Sequence, residues 1–422
     1  MLGFLTLGKG VSQMNLADSV FMFYATMLVW IMTPGVALFY GGMVKSKNVL
    51  NTAMHSFVPL AIVTVVWVII GYSLAFSPSG NVFIGNLDYV GLKGVGFEPL
   101  EGGTIPHSMF MMFQMAFAVL TVAIISGAVA ERMKFSAFVL FATIWSIVVY
   151  TPVAYWVWGG GWIADMGALD FAGGNVVHIS SGVAGLVLAL VLGKRKDSDN
   201  SKAHNMPLTI IGATLIWFGW FGFNVGSALT IDEVAMTVFI NTAVASATGI
   251  IGWLVVEWLV IRKTTMLGAM SGAIAGLVSI TPAVGFVTPM ASLLIGFVGG
   301  AICFYGLIIV KDKIGADDAL GAFGLHGIGG TWGGIATGLF ATLSINSAGA
   351  DGLFYGDASL LWKQIVAIIA TYLFVGAISY IIIKVIHLFI PIRVDEEIEN
   401  LGLDETYHGE KAYYDEYGTR VN

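Results

Sequence analysis

The chain has 422 residues, of which 57% are hydrophobic and only 11% charged, with a formal net charge of −7. A soluble protein carries about 25% charged residues, so the composition excludes an ordinary soluble enzyme and gives no basic surface for nucleic acid. A mean hydropathy of +0.86, with recurrent apolar runs long enough to cross about 30 Å of hydrocarbon, makes this an all-α polytopic membrane protein.

The N-terminal stretch "MLGFLTLGKGVSQMNLADS" is short on apolar length and lacks a basic n-region, so no cleaved signal peptide is expected. Apolar runs between charged or Gly/Pro/Asn-rich breaks then predict eleven transmembrane helices near 19–43, 51–76, 108–130, 136–158, 171–193, 207–227, 234–260, 266–281, 288–310, 319–342 and 360–386. Orientation follows from the cations. With "VKSKN" placed inside, only Lys9, Lys93 and Lys363 of the 19 Lys and Arg residues fall outside. That bias puts the N-terminus outside and the C-terminus in the cytoplasm. Residues 1–386 then form the transmembrane domain, and 387–422 a polar cytoplasmic tail. The tail's interleaved tyrosines favour a docking surface over a solvated coil, because disordered tails are poor in aromatics.

The 54 glycines suit close helix packing in lipid, where small faces replace the hydrophobic drive between helices. The single cysteine, Cys303, lies in the apolar "AICFYG" and excludes an internal disulfide framework. No HExxH motif and no plausible GxSxG site is present, so an intramembrane enzyme has no support.

Ionisable groups inside hydrocarbon are costly and mark a bundle interior or a polar path. Two glycine-rich spans each carry one such group, His178 in "VVHISSGVAGLVLAL" and His326 in "GLHGIGGTWGGIATGLF". Their similar surroundings, in spans five and ten, suggest two inverted five-helix repeats followed by one extra helix, with the substrate path at the repeat interface. A lone membrane histidine is also accounted for by one hydrogen bond between helices. Depth counting opposes a pairing: each histidine lies about 10 Å inside its span, from opposite faces. Straight perpendicular helices would keep them apart. The remaining acids read as structural. Glu257 sits near a cytoplasmic span end within reach of water or Arg262, and Asp317 and Asp318 open span ten, where negative charge favours a helix start.

Aromatic residues form a second constellation. Phe113 and Phe117 share a helix face, Trp156, Trp158 and Trp162 cluster at the outer end of span four, and "WFGWFGFNVGSA" closes span six with Phe221, Phe223, Asn224 and Ser227. An interfacial belt explains Tyr155 and Trp162. It explains Phe117 poorly, since that residue lies well inside its span. Desolvated ring faces attract cations by about 2 kcal/mol or more.

Six stretches in order, "TPGVALFYGGMVKSKNVL", "FQMAFAVLTVAIISGAVAERMKFSAF", "DFAGGNVVHISSGVAGL", "WFGWFGFNVGSA", "DDALGAFGLHGIGGTWG" and "GLDETYHGEKAY", resemble the Amt/Mep/Rh ammonium transporters, on the prokaryotic Amt side. The resemblance spans essentially the whole chain. It implies a plasma-membrane homotrimer with one pore per subunit and no cofactor or metal. Phe117, Trp158 and Ser227 would recruit ammonium, or methylammonium as its analogue, and Phe117 and Phe223 would form a stacked gate. His178 and His326 would line an apolar pore as twin histidines, and Asp170 would orient backbone near the vestibule. The tail match implies a cytoplasmic PII-type signal protein as partner. Many relatives carry a third acid where this chain has Gly321. An ammonium sensor using the same fold with little transport is the competing function.

Overall fold

A computed structural model of the protein describes residues 13–196 and 203–414. Lys9, Lys202 and Arg420, which enter the orientation argument, lie outside the described residues, as does the end of the tail. The described chain is helical, with isolated β-bridges and no sheet. Its helices are α1 (Leu16–Met43), α2 (Val49–Phe76), α3 (His107–Val129), α4 (Phe135–Met166, broken at Gly159–Gly161), α5 (Gly174–Leu192), α6 (Met206–Gly226), α7 (Glu233–Ile261), α8 (Met266–Ile280), α9 (Pro289–Ile314), α10 (Ile328–Phe340), α11 (Ala358–Phe389) and the tail helix α12 (Glu396–Leu401).

Several helices start where a side chain supplies an acceptor for orphan N–H groups. Asn15, Asn205, Asp232, Thr265, Thr288 and Asp357 do so for α1, α6, α7, α8, α9 and α11. Among the described residues, nine helices are long and apolar enough to cross a membrane. The other two segments of the eleven-span reading are shorter. The 15-residue α8 reaches only about 22 Å, and α10 is preceded by a π turn at Phe323–Gly327. The extra helix α11 continues past residue 386 to Phe389.

Small residues set the packing, as expected where lipid offers no hydrophobic drive between helices. A side chain at Gly212 would reach within 2.2 Å of the Phe39 nitrogen, and Gly219 and Gly222 likewise admit the α1 backbone. In the second half, Gly249 and Gly276 bring α7 and α8 together, and Gly252 and Gly300 do the same for α7 and α9. Glu257 does not reach Arg262. It is buried and accepts from the Thr265 N–H at 3.0 Å and the Thr265 hydroxyl at 2.7 Å. The guanidinium of Arg262 instead lies 5.0 Å over the Trp258 ring.

The described part of the tail packs on the rest of its own chain. Asp404 accepts from the N–H groups of Leu50 (3.1 Å) and Asn51 (2.8 Å), so a tail carboxylate caps α2. The Leu403 N–H donates to Asn48 Oδ1 at 2.9 Å, and Tyr413 meets His204 and Asn205. Glu399 accepts from the Lys196 N–H and pairs with Arg393 at 2.8 Å.

Beside this contact lies a buried ion network. Arg195 pairs with Glu131 at 2.7 Å and with Asp317 at 2.9 Å, while Arg132 donates to the Asp317 carbonyl. Burial pushes the Asp317 carboxyl up, but the hydrogen bonds and charge of Arg195 outweigh it and hold the group below the ordinary carboxylate range. A carboxyl lowered on folding contributes stability that is complete above its unfolded pKa of about 3.9. That contribution is lost as pH falls through the lower folded value. Asp317→Ala should therefore cost about 3 kcal/mol at neutral pH, the low end for breaking a buried ion pair, because the buried Arg195 loses one of its two carboxylates and keeps Glu131. Thermal melts in detergent from pH 7 down to 3 should show the gap between variant and wild type shrinking on the acid side. Equal melting temperatures at pH 7 would refute the assignment.

Candidate functional site

Two helix starts, one in each half of the chain, are built alike. Asp170 accepts from the N–H groups of Gly173 (2.8 Å), Gly174 (2.6 Å) and Asn175 (2.7 Å). Asp318 accepts from Ala322 (2.9 Å), Phe323 (2.8 Å) and Gly324 (3.1 Å). Each acid is followed at the same spacing by a left-handed glycine, Gly173 at φ +113° and Gly321 at φ +78°. Glycine adopts this conformation without the steric penalty that other side chains meet, and it lets the chain turn back under the carboxylate. Each start then winds into a π turn, Gly174–Ile179 or Phe323–Gly327. Asp318 thus fits the expected helix-start role, whereas its neighbour Asp317 serves the ion network. Gly321, the departure from the usual acid, occupies a backbone position that favours glycine.

The π turns carry His178 and His326. The two residues are 148 apart in sequence, and their Nδ1 atoms lie 3.2 Å apart, within hydrogen-bond distance. The ring centroids are 5.2 Å apart with the planes tilted by 39°. His178 is fully buried, and its Nε2 has no hydrogen-bond partner among the described residues. Depth counting misses this contact because it measures each residue from its own membrane face. The helices in fact cross near their N-terminal ends. A Cβ at Gly182 would lie 2.4 Å from the Gly327 nitrogen, and one at Gly330 would lie 3.0 Å from the His178 Cβ. These two glycines, one turn beyond each histidine, bring the first turns side by side.

A continuous series of rings leads away from the pair. His178 stacks on Trp220 (5.3 Å, 29°) and on Phe223 (5.8 Å, 21°). Phe223 stacks on Phe117 at 4.1 Å and 19°, and Phe117 meets Trp158 edge-on at 5.9 Å. The Trp158 indole N–H donates to the Asp170 carbonyl at 3.0 Å, which ties this ring to the α5 start. Ser227 donates to the Phe223 carbonyl at 2.9 Å, leaving its oxygen lone pairs as acceptors. The fold therefore brings Trp158, Phe117, Phe223, His178 and His326 into one connected series of contacts, with Asp170 and Ser227 attached to it. Sequence reasoning missed Trp220, which reads as one aromatic among many in "WFGWFGF". It also missed the matching architecture of Asp170 and Asp318, although the shared Asp-x-x-Gly spacing before each histidine was available as a signal.

Beside the histidines is a narrow cavity of ≈ 20 Å³, lined by apolar residues including Val36, Leu120, Ile124 and Ile274. This is room for roughly one water-sized molecule. A larger cavity of ≈ 300 Å³ lies beyond it, bounded by Arg195, Ser271, Lys311, Asp317 and Asp318. Phe39 and Leu325 line both spaces and so form part of the wall between them. Among the described residues no group of three or more His, Cys, Asp or Glu side chains is placed to hold a metal ion.

Comparison with known proteins points to one family. The profile of the Ammonium Transporter Family matches residues 20–413. An ammonium transporter of Bacillus subtilis (strain 168) is 70% identical over 403 residues, covering 95% of this chain and 100% of the relative. The crystal structure of Candida albicans Mep2 superposes with a TM-score of 0.86 at 36% identity, covering 91% of this chain and 88% of that one. A solved structure described as a sensor Amt protein matches with a TM-score of 0.86 at 26% identity, covering 93% and 98%. A profile match over nearly the full length, a near-complete relative at high identity and a shared all-helical fold agree: the chain belongs to the ammonium transporter family.

Proposed function

We propose that the protein recruits ammonium at an outer aromatic site, strips its proton and conducts ammonia past the paired histidines. The carrying observation is the imidazole pair, 3.2 Å apart at Nδ1, next to an apolar cavity with room for one small molecule. Phe117, Trp158 and Ser227 hold the incoming ion, the rings by cation–π attraction and the hydroxyl as an acceptor. Phe117 and Phe223, in face-to-face contact, act as the gate. Ammonium and K⁺ are similar in size, but only ammonium can become neutral by losing a proton. An apolar passage makes the bare ion expensive, whereas ammonia crosses and hydrogen-bonds imidazole. Deprotonation is thus the selectivity step.

By the same resemblance, the protein works as a plasma-membrane homotrimer, N-terminus outside and tail inside. The tail, from 387 onward, is a regulatory element read by a PII-type partner. Tail contacts with α2 and with Lys196 give such a partner a mechanical link to the cytoplasmic cavity. The sensor reading has the weaker support, since identity is 26% to the sensor structure against 70% to a transporter.

The proton's fate distinguishes two forms of the mechanism. Purified protein in proteoliposomes, given ammonium pulses, should pass a sustained current that scales with ammonium if the proton follows along the histidines. Ammonia-driven alkalinisation of the lumen without current would indicate electroneutral conduction. Neither signal above protein-free vesicles would defeat the proposal.

A further inference from the structure

We infer that α11, the helix outside the two repeats, is the brace that fixes both histidine turns, with Tyr372 as a positioning residue for His326. The inference rests on the proposed role of the histidines as the conducting pair. Its observations come from two levels of α11, two turns apart.

At the first level, Gln364 grips the segment just before Asp170. Its Oε1 accepts from the Leu169 N–H at 2.7 Å, and its Nε2 donates to the Leu169 carbonyl at 2.8 Å. Both backbone groups of one loop residue are thereby held by a single side chain. Two turns along, the Thr371 hydroxyl shares its proton between the Ala367 carbonyl at 2.8 Å and Asn175 Oδ1 at 3.2 Å, inside the His178 π turn. The adjacent Tyr372 reaches the other half. Its hydroxyl lies 3.2 Å from the Gly327 carbonyl and 2.8 Å from the Thr331 hydroxyl, which itself donates to the same carbonyl at 2.7 Å. Gly327 is the residue after His326, and its carbonyl lies on the peptide that leads into α10.

The two π turns differ in how they are held. Near His178, Ser180 donates to the Val176 carbonyl at 2.5 Å and Ser181 to the Val177 carbonyl at 2.6 Å, so that turn is stapled by its own helix. Near His326, Thr331 of the turn's own helix donates to the Gly327 carbonyl, and the remaining help comes from other helices. Tyr372 of α11 holds the Gly327 carbonyl, and Cys303 of α9 approaches the Leu325 carbonyl at 3.7 Å. A π turn departs from the regular ladder, and in lipid its carbonyls must find donors within the protein. The turn with fewer donors of its own is the one that depends on α11. Loss of the Tyr372 hydroxyl should let His326 drift from the 3.2 Å contact with His178 while leaving the bundle folded.

The test uses full-length protein carrying Tyr372→Phe, which keeps the ring and removes the hydroxyl, and separately Thr331→Val, which removes the second donor to the same carbonyl. Two readouts are taken: ammonium flux in proteoliposomes and the ring ¹⁵N signals of His326, assigned with a His326→Ala sample. Tyr372→Phe should shift the His326 ring signals and reduce flux roughly five-fold, the scale of one neutral hydrogen bond. The double variant should lose less than the product of the two singles, since both act on one carbonyl. Unshifted His326 signals in both single variants would overturn the brace, whether or not flux falls, because lost flux with an unmoved imidazole means a general structural defect. If Tyr372→Phe fails to fold, Thr331→Val decides the question by the same signals. A wild type without flux would instead defeat the conduction reading, and the ¹⁵N comparison would still judge the brace.

Discussion

Replacing His178 by Asp, or His326 by Glu, is expected to admit K⁺. On the proposed path, a cation leaving the ring stack would meet two imidazoles in mutual contact, with apolar side chains around them. A neutral imidazole pair stabilises ammonia by hydrogen bonding but offers no net charge to a bare ion. A carboxylate at either position changes that balance. A unit charge about 4 Å away attracts a cation by about 4 kcal/mol at an effective dielectric of 20, close to a thousand-fold in occupancy. Even if solvation of the new carboxylate removes most of that gain, the preference for ammonium over K⁺ should fall at least ten-fold. Currents under ammonium and K⁺ gradients, compared in the same proteoliposomes, would read the ratio. Unchanged selectivity in both variants would sink the deprotonation filter, because a passage that ignores a new buried anion does not select by excluding charge.

Much of this arrangement was legible in the sequence, and the limits have identifiable causes. Long apolar runs locate α1 to α7, α9 and α11 because hydrocarbon thickness sets a length that composition alone reveals. The shorter α8 and α10 belong to the central, glycine-rich packing, where a full-length lipid-facing surface is not required; Gly276 and Gly333 there touch neighbouring backbone. The histidines stood out as ionisable groups in apolar context, but their contact did not. It depends on where two helices cross, which Gly182 and Gly330 decide and which depth counting cannot see. The π turns were also out of reach, since they differ from α-helix by one hydrogen-bond register and carry no distinct hydrophobic period. Glu257 was placed correctly at a helix end, but its partner proved to be the N-cap Thr265 of the next helix. A nearby guanidinium in sequence is a weaker guide than an unsatisfied helix start in space.

The second large effect concerns Asp170. The residue is only 8% exposed and its carboxylate accepts from three consecutive N–H groups, while its own carbonyl holds the Trp158 indole. Asp170→Ala would leave those donors unpaired in a site with little access to water, at about 1–3 kcal/mol for each group left unsatisfied. The α5 start should then unwind or shift, and both Trp158 and His178 would move with it. Methylammonium uptake should drop more than ten-fold, and the thermal melt should fall by several degrees. Asp170→Asn keeps one acceptor oxygen and loses the charge that favours a helix N-terminus, so it should fall between wild type and Ala in both measurements. Asp318→Ala, acting at the matching start of the other half, should produce the same paired loss through His326. Full uptake by a properly assembled Asp170→Ala protein would show that the capped start is dispensable. The ordering Asp, then Asn, then Ala in both stability and uptake is what separates a carboxylate that shapes the backbone from one that binds the ion. An ion-binding role would cost uptake in Asn and Ala alike while leaving the melt nearly unchanged.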